Sequence, residues 1–351
     1  MTRNNINSEE FSMQHLVFGA GLIGGYLGAA IAANGQKVCL IGRATVLDKW
    51  QQGIRLTDYQ GNQSGPVTPE LLSAERLREA PKGDILWLTV KCIAIEQAIR
   101  DMAPLIKADT RIFCCQNGLG AESLVQEAYP DNPVHRAVVG FNVTEETDAT
   151  LHCGSEGCLT LERLHADDPV PTLVNTLRTP LLRMEYSNAM TELQWAKLQL
   201  NLGNAVNALA DIPVKSMLRQ RAYRKVLALL MDELLGVAKA KGLRLPKLTA
   251  LPAAWIPSVL RLPDWLFERL ANTMLAIDPK VRTSMWWDLH LKRKTEIAFL
   301  NGAVVEEALS LGLGCAANQV IHQLIREVEQ GIRQPGMQAD ELLRRVTTGP
   351  L

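Results

Sequence analysis

Lys197, Asn201 and Asn204 recur along a largely apolar stretch from Trp195 to Ala208. On an α-helix Asn201 falls about 40° from Lys197, and Asn204 about 20° to its other side. They make one polar stripe, and burying such a stripe is costly unless something satisfies it. A cleft holding a polar ligand would do so; a hydrogen-bonded seam between helices is the alternative. A lysine in such a cleft suits ketone reduction. Hydride addition leaves negative charge on the carbonyl oxygen, which an ammonium stabilises and protonates. Partial burial would lower the lysine pKa and ease the donation.

The means of carrying a hydride lies near the other end of the chain. Gly19-Ala20-Gly21-Leu22-Ile23-Gly24 follows a short apolar run, His15–Gly19, and opens a small-residue helix through Ala33. Asn34-Gly35 stops that helix, and Lys37–Ile41 reads as a second strand. Strand, glycine turn, helix and strand in this order are the context of dinucleotide binding. Gly19 permits the tight turn, Gly21 lets a pyrophosphate approach the backbone, and Gly24 lets the helix pack closely. Free N–H groups at the helix start then face the phosphates. A glycine turn kept for packing alone is the alternative. After the second strand come Gly42-Arg43-Ala44-Thr45, with no acid to accept bonds from ribose hydroxyls. Arg43 can instead pair with a 2′-phosphate, so NADP is expected over NAD.

The same sheet would gain Asp84–Val90, with Lys91 at its end, and Thr110–Cys115, ending in Gln116-Asn117-Gly118-Leu119-Gly120. Ligands of open α/β sheets bind beyond the carboxyl ends of strands, so Lys91 and Asn117 are candidates for cofactor or substrate contact. Asn117-Gly118 also reads as a turn. Val134–Val143, Thr150–Cys153 and Cys158–Leu161 look like antiparallel strands extending the sheet, with Leu182–Tyr186 as a last strand. From Met190 on, the pattern is mainly helical. The expected organisation is a disordered tail (1–13), an NADP-binding α/β domain with a Rossmann-type doubly wound sheet (14–187) and an all-helical substrate and catalytic domain (188–351).

A later cluster runs Thr283-Ser284-Met285-Trp286-Trp287-Asp288 and resumes at Thr295-Glu296-Ile297. One straight helix would set Ser284 and Glu296 about 18 Å apart, too far to share a small substrate. A break near Lys294, with Thr295 capping a new helix, is the expectation. Taken alone, Glu296 reads as a surface acid.

Composition narrows the field. The 351 residues suit two domains, and the 37 basic and 37 acidic residues leave no net charge. That removes the electrostatic footprint of a nucleic-acid binder and gives no reason to expect a membrane partner. The seven cysteines are odd in number and mostly sit in apolar runs, so they read as reduced thiols of a cytoplasmic protein. Cys153 and Cys158 lack a partner pair for zinc, and no metal is expected.

Together these pieces resemble the ketopantoate reductase (2-dehydropantoate 2-reductase) family. The resemblance covers most of the chain: Gly19, Gly21 and Gly24; Lys91; Gln116-Asn117-Gly118; Trp195-x-Lys197-Leu198-x-x-Asn201; Ser284-Met285; and Thr295-Glu296-Ile297. It implies a Rossmann domain joined to a helical domain of the 6-phosphogluconate-dehydrogenase-like type, with the active site in the cleft between. It further implies that Lys197 protonates the keto oxygen. Glu296 orients the substrate, and Asn117, Asn201 and Ser284 also contact it; Lys91 contacts cofactor. The implied reaction is NADPH-dependent reduction of ketopantoate to pantoate, a step towards pantothenate. A related dehydrogenase of a bulkier 2-oxo acid and a non-catalytic NADP sensor are the alternatives. Two departures stand out. The family often has an asparagine eight residues after the lysine, where this chain has Ala205; Asn204 fits the Lys197 face better than Asn207. The stretch from Pro246 to Val281 is also longer than in compact members, and core packing or a homodimer contact is its expected role.

Overall fold

The computed structural model describes residues 13–146, 149–270 and 279–349. The expected N-terminal tail therefore lies outside the described residues, except for Met13. The described chain divides into two compact units. One holds 13–116 and 121–190; the other holds 117–120 and 191–349. Each has its own apolar core. Among the described residues no helix is long and apolar enough to cross a membrane.

Among the described residues the first unit has twelve strands: β1 (Gln14–Phe18), β2 (Lys37–Gly42), β3 (Ile54–Asp58), β4 (Gln63–Val67), β5 (Glu70–Ser73), β6 (Ile85–Leu88), β7 (Arg111–Cys114), β8 (Val134–Val139), β9 (Val143–Glu145), β10 (Thr150–Cys153), β11 (Leu159–Glu162) and β12 (Met184–Ser187). Eight form one sheet in the order β12-β11-β8-β7-β6-β1-β2-β5. All neighbours are parallel except β8 and β11. β1 and β6 are buried almost throughout, as expected of strands covered on both faces. The expectation for 134–162 is corrected here. β8 runs parallel to β7, and only β11 extends the sheet in antiparallel sense. β9 and β10 instead join β3 and β4 in a second, four-stranded sheet. The helix Leu22–Ala33 packs against β2 and also against strands of the second sheet, so both sheets bury it.

A buried row of rings crosses β1, β6, β7 and β8. His15 stacks on Trp87, Trp87 on Phe113 and Phe113 on His135. Burial pushes the His15 pKa down to about 4, so the ring is neutral. Its Nδ1 then accepts a 3.1 Å bond from Trp87 Nε1.

The second unit is helical. Its core joins Met190–Asn201 and Gly203–Ala210 to Arg221–Ala240, Asn301–Ser310, Ala316–Glu329 and Ala339–Thr348. The long stretch after Pro246 contributes Ile256, Leu260 and Phe267 to this core, which is the packing role expected of it. Its residues 271–278 lie outside the described residues. Arg224, fully buried, holds it in place. Its Nε donates to the Leu260 carbonyl at 3.1 Å, Nη1 to Leu218 at 2.9 Å, and Nη2 to Leu262 at 2.9 Å and to Asp264 at 2.8 Å. The guanidinium also lies 4.1 Å from the centre of the Phe267 ring.

Candidate active site

The glycine loop of the first unit is shaped by contacts that exclude side chains. Gly19 has φ +118°, and a Cβ there would stand 2.7 Å from the Val90 nitrogen. A Cβ on Gly24 would stand 2.1 Å from the Gly19 carbonyl oxygen. At Gly21 a Cβ would meet nothing within 4 Å, so the backbone there is open to a ligand. Gly21 is the N-cap of the Leu22–Ala33 helix. No side chain caps this end, and its first turn, with Leu22, Ile23 and Gly24, holds no acid. The N–H groups of such an end favour an anion.

Arg43 is brought to the same loop by the backbone. The Gly19 and Ala20 N–H groups both donate to the Ile41 carbonyl at 3.0 Å. Gly42 follows, where a Cβ would come within 2.4 Å of the Ala20 Cβ. Arg43 is exposed and starts the short helix Ala44–Leu47. Lys91 is exposed just past β6. Its strand end is tied from both sides: Thr89 Oγ1 donates to the Gly19 carbonyl at 2.8 Å, and Gln116 Nε2 donates to Leu88 at 2.8 Å and to Val90 at 3.1 Å. Glycine loop, Arg43 and Lys91 thus belong to one rigid set of strand ends. An uncapped helix start, an open glycine and an exposed arginine fit a phosphorylated dinucleotide.

The remaining candidates lie in the second unit. Trp195 is buried in the helical core, with Lys241 Nζ 5.8 Å from its ring centre. Two residues on, about 200° round the helix, the backbone turns Lys197 to the opposite side. Lys197, Asn201 and Asn204 are each half-buried, as a shared stripe requires. The helix is interrupted at Leu202, although Leu202 keeps helical torsions (φ −56°, ψ −27°), so the face carries through.

Asn204 and Asn207 divide their work. The Asn204 backbone carbonyl accepts from Thr283 Oγ1 at 3.2 Å. Asn207 is fully buried, and its amide is spent inside the fold. Nδ2 donates to Ile212 at 2.7 Å, while Oδ1 accepts from the Thr283 N–H at 3.1 Å and from its hydroxyl at 3.2 Å. Thr283 in turn caps the Ser284–His290 helix by accepting from the Trp286 N–H at 3.4 Å. The lysine-bearing run is therefore braced directly against the residue before Ser284, which is itself exposed.

The chain does break between Ser284 and Glu296, earlier than expected: the helix ends at His290 and Lys292 takes φ +51°. Thr295 Oγ1 accepts from the Ile297 N–H at 3.3 Å, but the N-cap of the short helix Ile297–Phe299 is Glu296 and not the expected Thr295. Glu296 is buried, not on the surface as its own pattern suggested. The reason is its neighbour. The Thr295 N–H and hydroxyl both donate to Glu329 Oε1 at 2.7 Å, and Arg326 holds the other carboxylate oxygen at 2.8 Å. Asn117 is brought to this segment by the 117–120 turn. The Leu119 N–H donates to the Phe299 carbonyl at 3.1 Å. Gly118 has φ +87°, and a Cβ would stand 2.0 Å from that same oxygen.

Asn207, Thr283 and Glu329 brace the segments that carry the candidate residues, a task that sequence patterns did not show. Glu329 sits three residues after Arg326 and reads as half of a surface pair. Glu329→Ala would leave the Thr295 N–H and hydroxyl without their acceptor, worth about 1–3 kcal/mol at a buried site. Steady-state kinetics should show KM for the reduced substrate rising roughly tenfold, with KM for the nucleotide unchanged. Glu329→Gln keeps an acceptor oxygen and should recover most of the loss. A Gln variant as impaired as Ala, or an Ala variant with unchanged KM, would remove the positioning role.

Comparison with known proteins matches two family models: ketopantoate reductase PanE/ApbA over residues 15–165, and the ketopantoate reductase PanE/ApbA C-terminal model over residues 189–329. A 2-dehydropantoate 2-reductase of Archaeoglobus fulgidus is 22% identical over 320 residues, spanning 90% of this chain and 98% of the relative. A PanE/ApbA-family ketopantoate reductase from Ralstonia eutropha JMP134 superposes with TM-score 0.75 at 24% identity, over 91% of this chain and 99% of that one. D-mandelate dehydrogenase, solved with NADH and anilino(oxo)acetate, gives TM-score 0.76 at 19% identity, again over 91% and 99%. At these identities the structural likeness shows the α/β fold with its helical second unit.

Proposed function

We propose, from the premise that this chain belongs to the ketopantoate reductase PanE/ApbA family, that it reduces a small 2-oxo acid with NADPH. It is an oxidoreductase acting on a CH–OH/C=O pair. The acid is ketopantoate and the product pantoate. The observation that carries this reading is the half-buried Lys197 face, braced through Asn204 and Asn207 to the start of the Ser284 helix.

Gly19, Ala20, Gly21, Leu22, Ile23 and Gly24 would hold the pyrophosphate, Arg43 the 2′-phosphate, and Lys91 and Asn117 further parts of the cofactor. Bound there, the nicotinamide supplies a hydride to the keto carbon. The chain's own residues do the rest. The Lys197 ammonium stabilises the charge that develops on the keto oxygen and gives it a proton. Asn201, Asn204 and Ser284 offer hydrogen bonds to the substrate. Glu296 accepts from a substrate hydroxyl and orients it; Asn117 lies on the turn bonded to the same segment.

Arg43→Ala tests the cofactor assignment. A charge-assisted bond to phosphate contributes about 1.5–3 kcal/mol, so KM for NADPH should rise roughly 10–100-fold while KM for NADH barely moves. Equal changes for the two nucleotides would contradict it.

A bulkier substrate is the second reading, and Trp287 favours it. It lies three residues after Ser284, hence near the same helix face, and is 52% exposed. NADPH oxidation over a panel of 2-oxo acids, with NADH as control, decides between them. Fast turnover of ketopantoate supports the first reading. Turnover of phenylglyoxylate with none of ketopantoate would replace it with the second.

A further inference from the structure

In the second unit, the helices Arg221–Ala240 and Ala339–Thr348, together with Arg261 just after Ile256–Leu260, border an open surface cavity of about 570 Å³. None of its lining residues belongs to the proposed catalytic or cofactor set. Its helical faces follow from spacing. Arg221, Lys225 and Leu229 recur every four residues, and Leu343 stands three residues after Asp340, with Arg344 next. Leu229 and Leu343, both half-buried, supply apolar surface, to which the stems of the long cations add.

The charge is lopsided. Arg221, Lys225, Arg261 and Arg344 line the cavity against a single acid, Asp340. Arg261 is spoken for by Asp232, and Arg221 donates to the Arg261 carbonyl at 3.0 Å. Lys225 and Arg344 form no ion pair among the described residues, and neither does Asp340. This concentration of positive charge occurs in a chain with no net charge. The field has a second source. The Arg221–Ala240 helix begins at the Arg221 end of the cavity, with no side-chain cap and no acid in its first turn. A helix start of this kind adds partial positive charge. The volume lies in the range of small-ligand sites.

We propose that this cavity binds a small soluble organic anion with an apolar body, of the alkyl phosphate class. Lys225 and Arg344 hold the charged group, and Leu229 and Leu343 the body. Hexyl phosphate, kept below its micelle concentration, is the probe, titrated calorimetrically into the full chain. One saturable site per chain is expected. Its Kd should be unaffected by saturating NADPH, because the lining shares no residue with the glycine loop or Arg43. Lys225→Ala combined with Arg344→Ala should weaken it at least tenfold, with the melting midpoint and NADPH affinity unchanged. Hexanol and inorganic phosphate should each bind at least tenfold more weakly than hexyl phosphate. No saturable binding to the wild type, equal binding to the double variant, or displacement by NADPH overturns the proposal. So does adsorption to phosphatidic acid vesicles without binding of the soluble probe, which assigns the patch to a lipid surface.

Discussion

Lys197→Ala should lower turnover at least about 100-fold, the scale of a positioned proton donor, while NADPH affinity stays within about twofold. The loss is confined to the chemical step because Lys197 lies in the helical unit, outside the glycine loop and Arg43. Trp195, two residues earlier, anchors the helix in the core and is untouched by the change. The fold should therefore persist, and nucleotide fluorescence titration can be read beside the kinetics. Lys197→Arg refines the result. It keeps the positive charge but resists giving up a proton, so turnover should fall between wild type and alanine. Unchanged turnover in the alanine variant would remove Lys197 from the reaction.

The second large effect is on stability. Arg224→Met should destabilise the helical unit by about 3–5 kcal/mol. Methionine preserves much of the buried volume, so the loss isolates the polar contacts. Three carbonyls, of Leu218, Leu260 and Leu262, would lose their donor. Asp264 matters less, since its side chain is 60% exposed and can turn to water. Urea unfolding followed by tryptophan fluorescence is the measurement. Trp195, Trp255, Trp265, Trp286 and Trp287, five of the seven tryptophans, report on this unit. A change below about 1 kcal/mol would mean that packing alone holds the 256–267 stretch.

How far the sequence disclosed this molecule depends on the range of the force involved. The glycine loop was legible because its constraints are steric and local. Gly19 needs its positive φ and Gly24 its close approach wherever the helix leads. Arg43 stood out as a base where an acid is absent, and it is exposed just after Gly42. The Lys197 stripe was legible because a helix has a fixed period. β3, β4 and β5 escaped: Gln63-Ser64-Gly65-Pro66-Val67 carries no alternation and contains both usual strand breakers, whereas Ile54-Arg55-Leu56-Thr57 alternates but is short. β10 was recognised as a strand but given to the wrong sheet, and β9 was hidden at the end of the run read as Val134–Val143, because pairing partners are not encoded in a strand's own residues.

Residues that act at long range were the least legible. Glu296 resembles any surface acid until Glu329, thirty-four residues after Thr295, draws its segment inward. Asn207 looked like a rival to Asn204 for the ligand face; only its bonds to Thr283 and Ile212 reveal a brace. Arg224 lies in an amphipathic helix, on its buried side, where a charge is not expected. What made it different is the set of carbonyls brought to it by a distant, proline-rich stretch.

The proposed reaction requires direct transfer of hydride to the keto carbon of a 2-oxo acid. Incubating the enzyme with NADPH deuterated at C4 of the transferred face and ketopantoate, then examining the product by mass spectrometry and proton NMR, tests it. One deuterium per molecule is expected, located at C2 of pantoate. Pantoate with hydrogen at C2, or nucleotide consumed without any hydroxy acid formed, would contradict it.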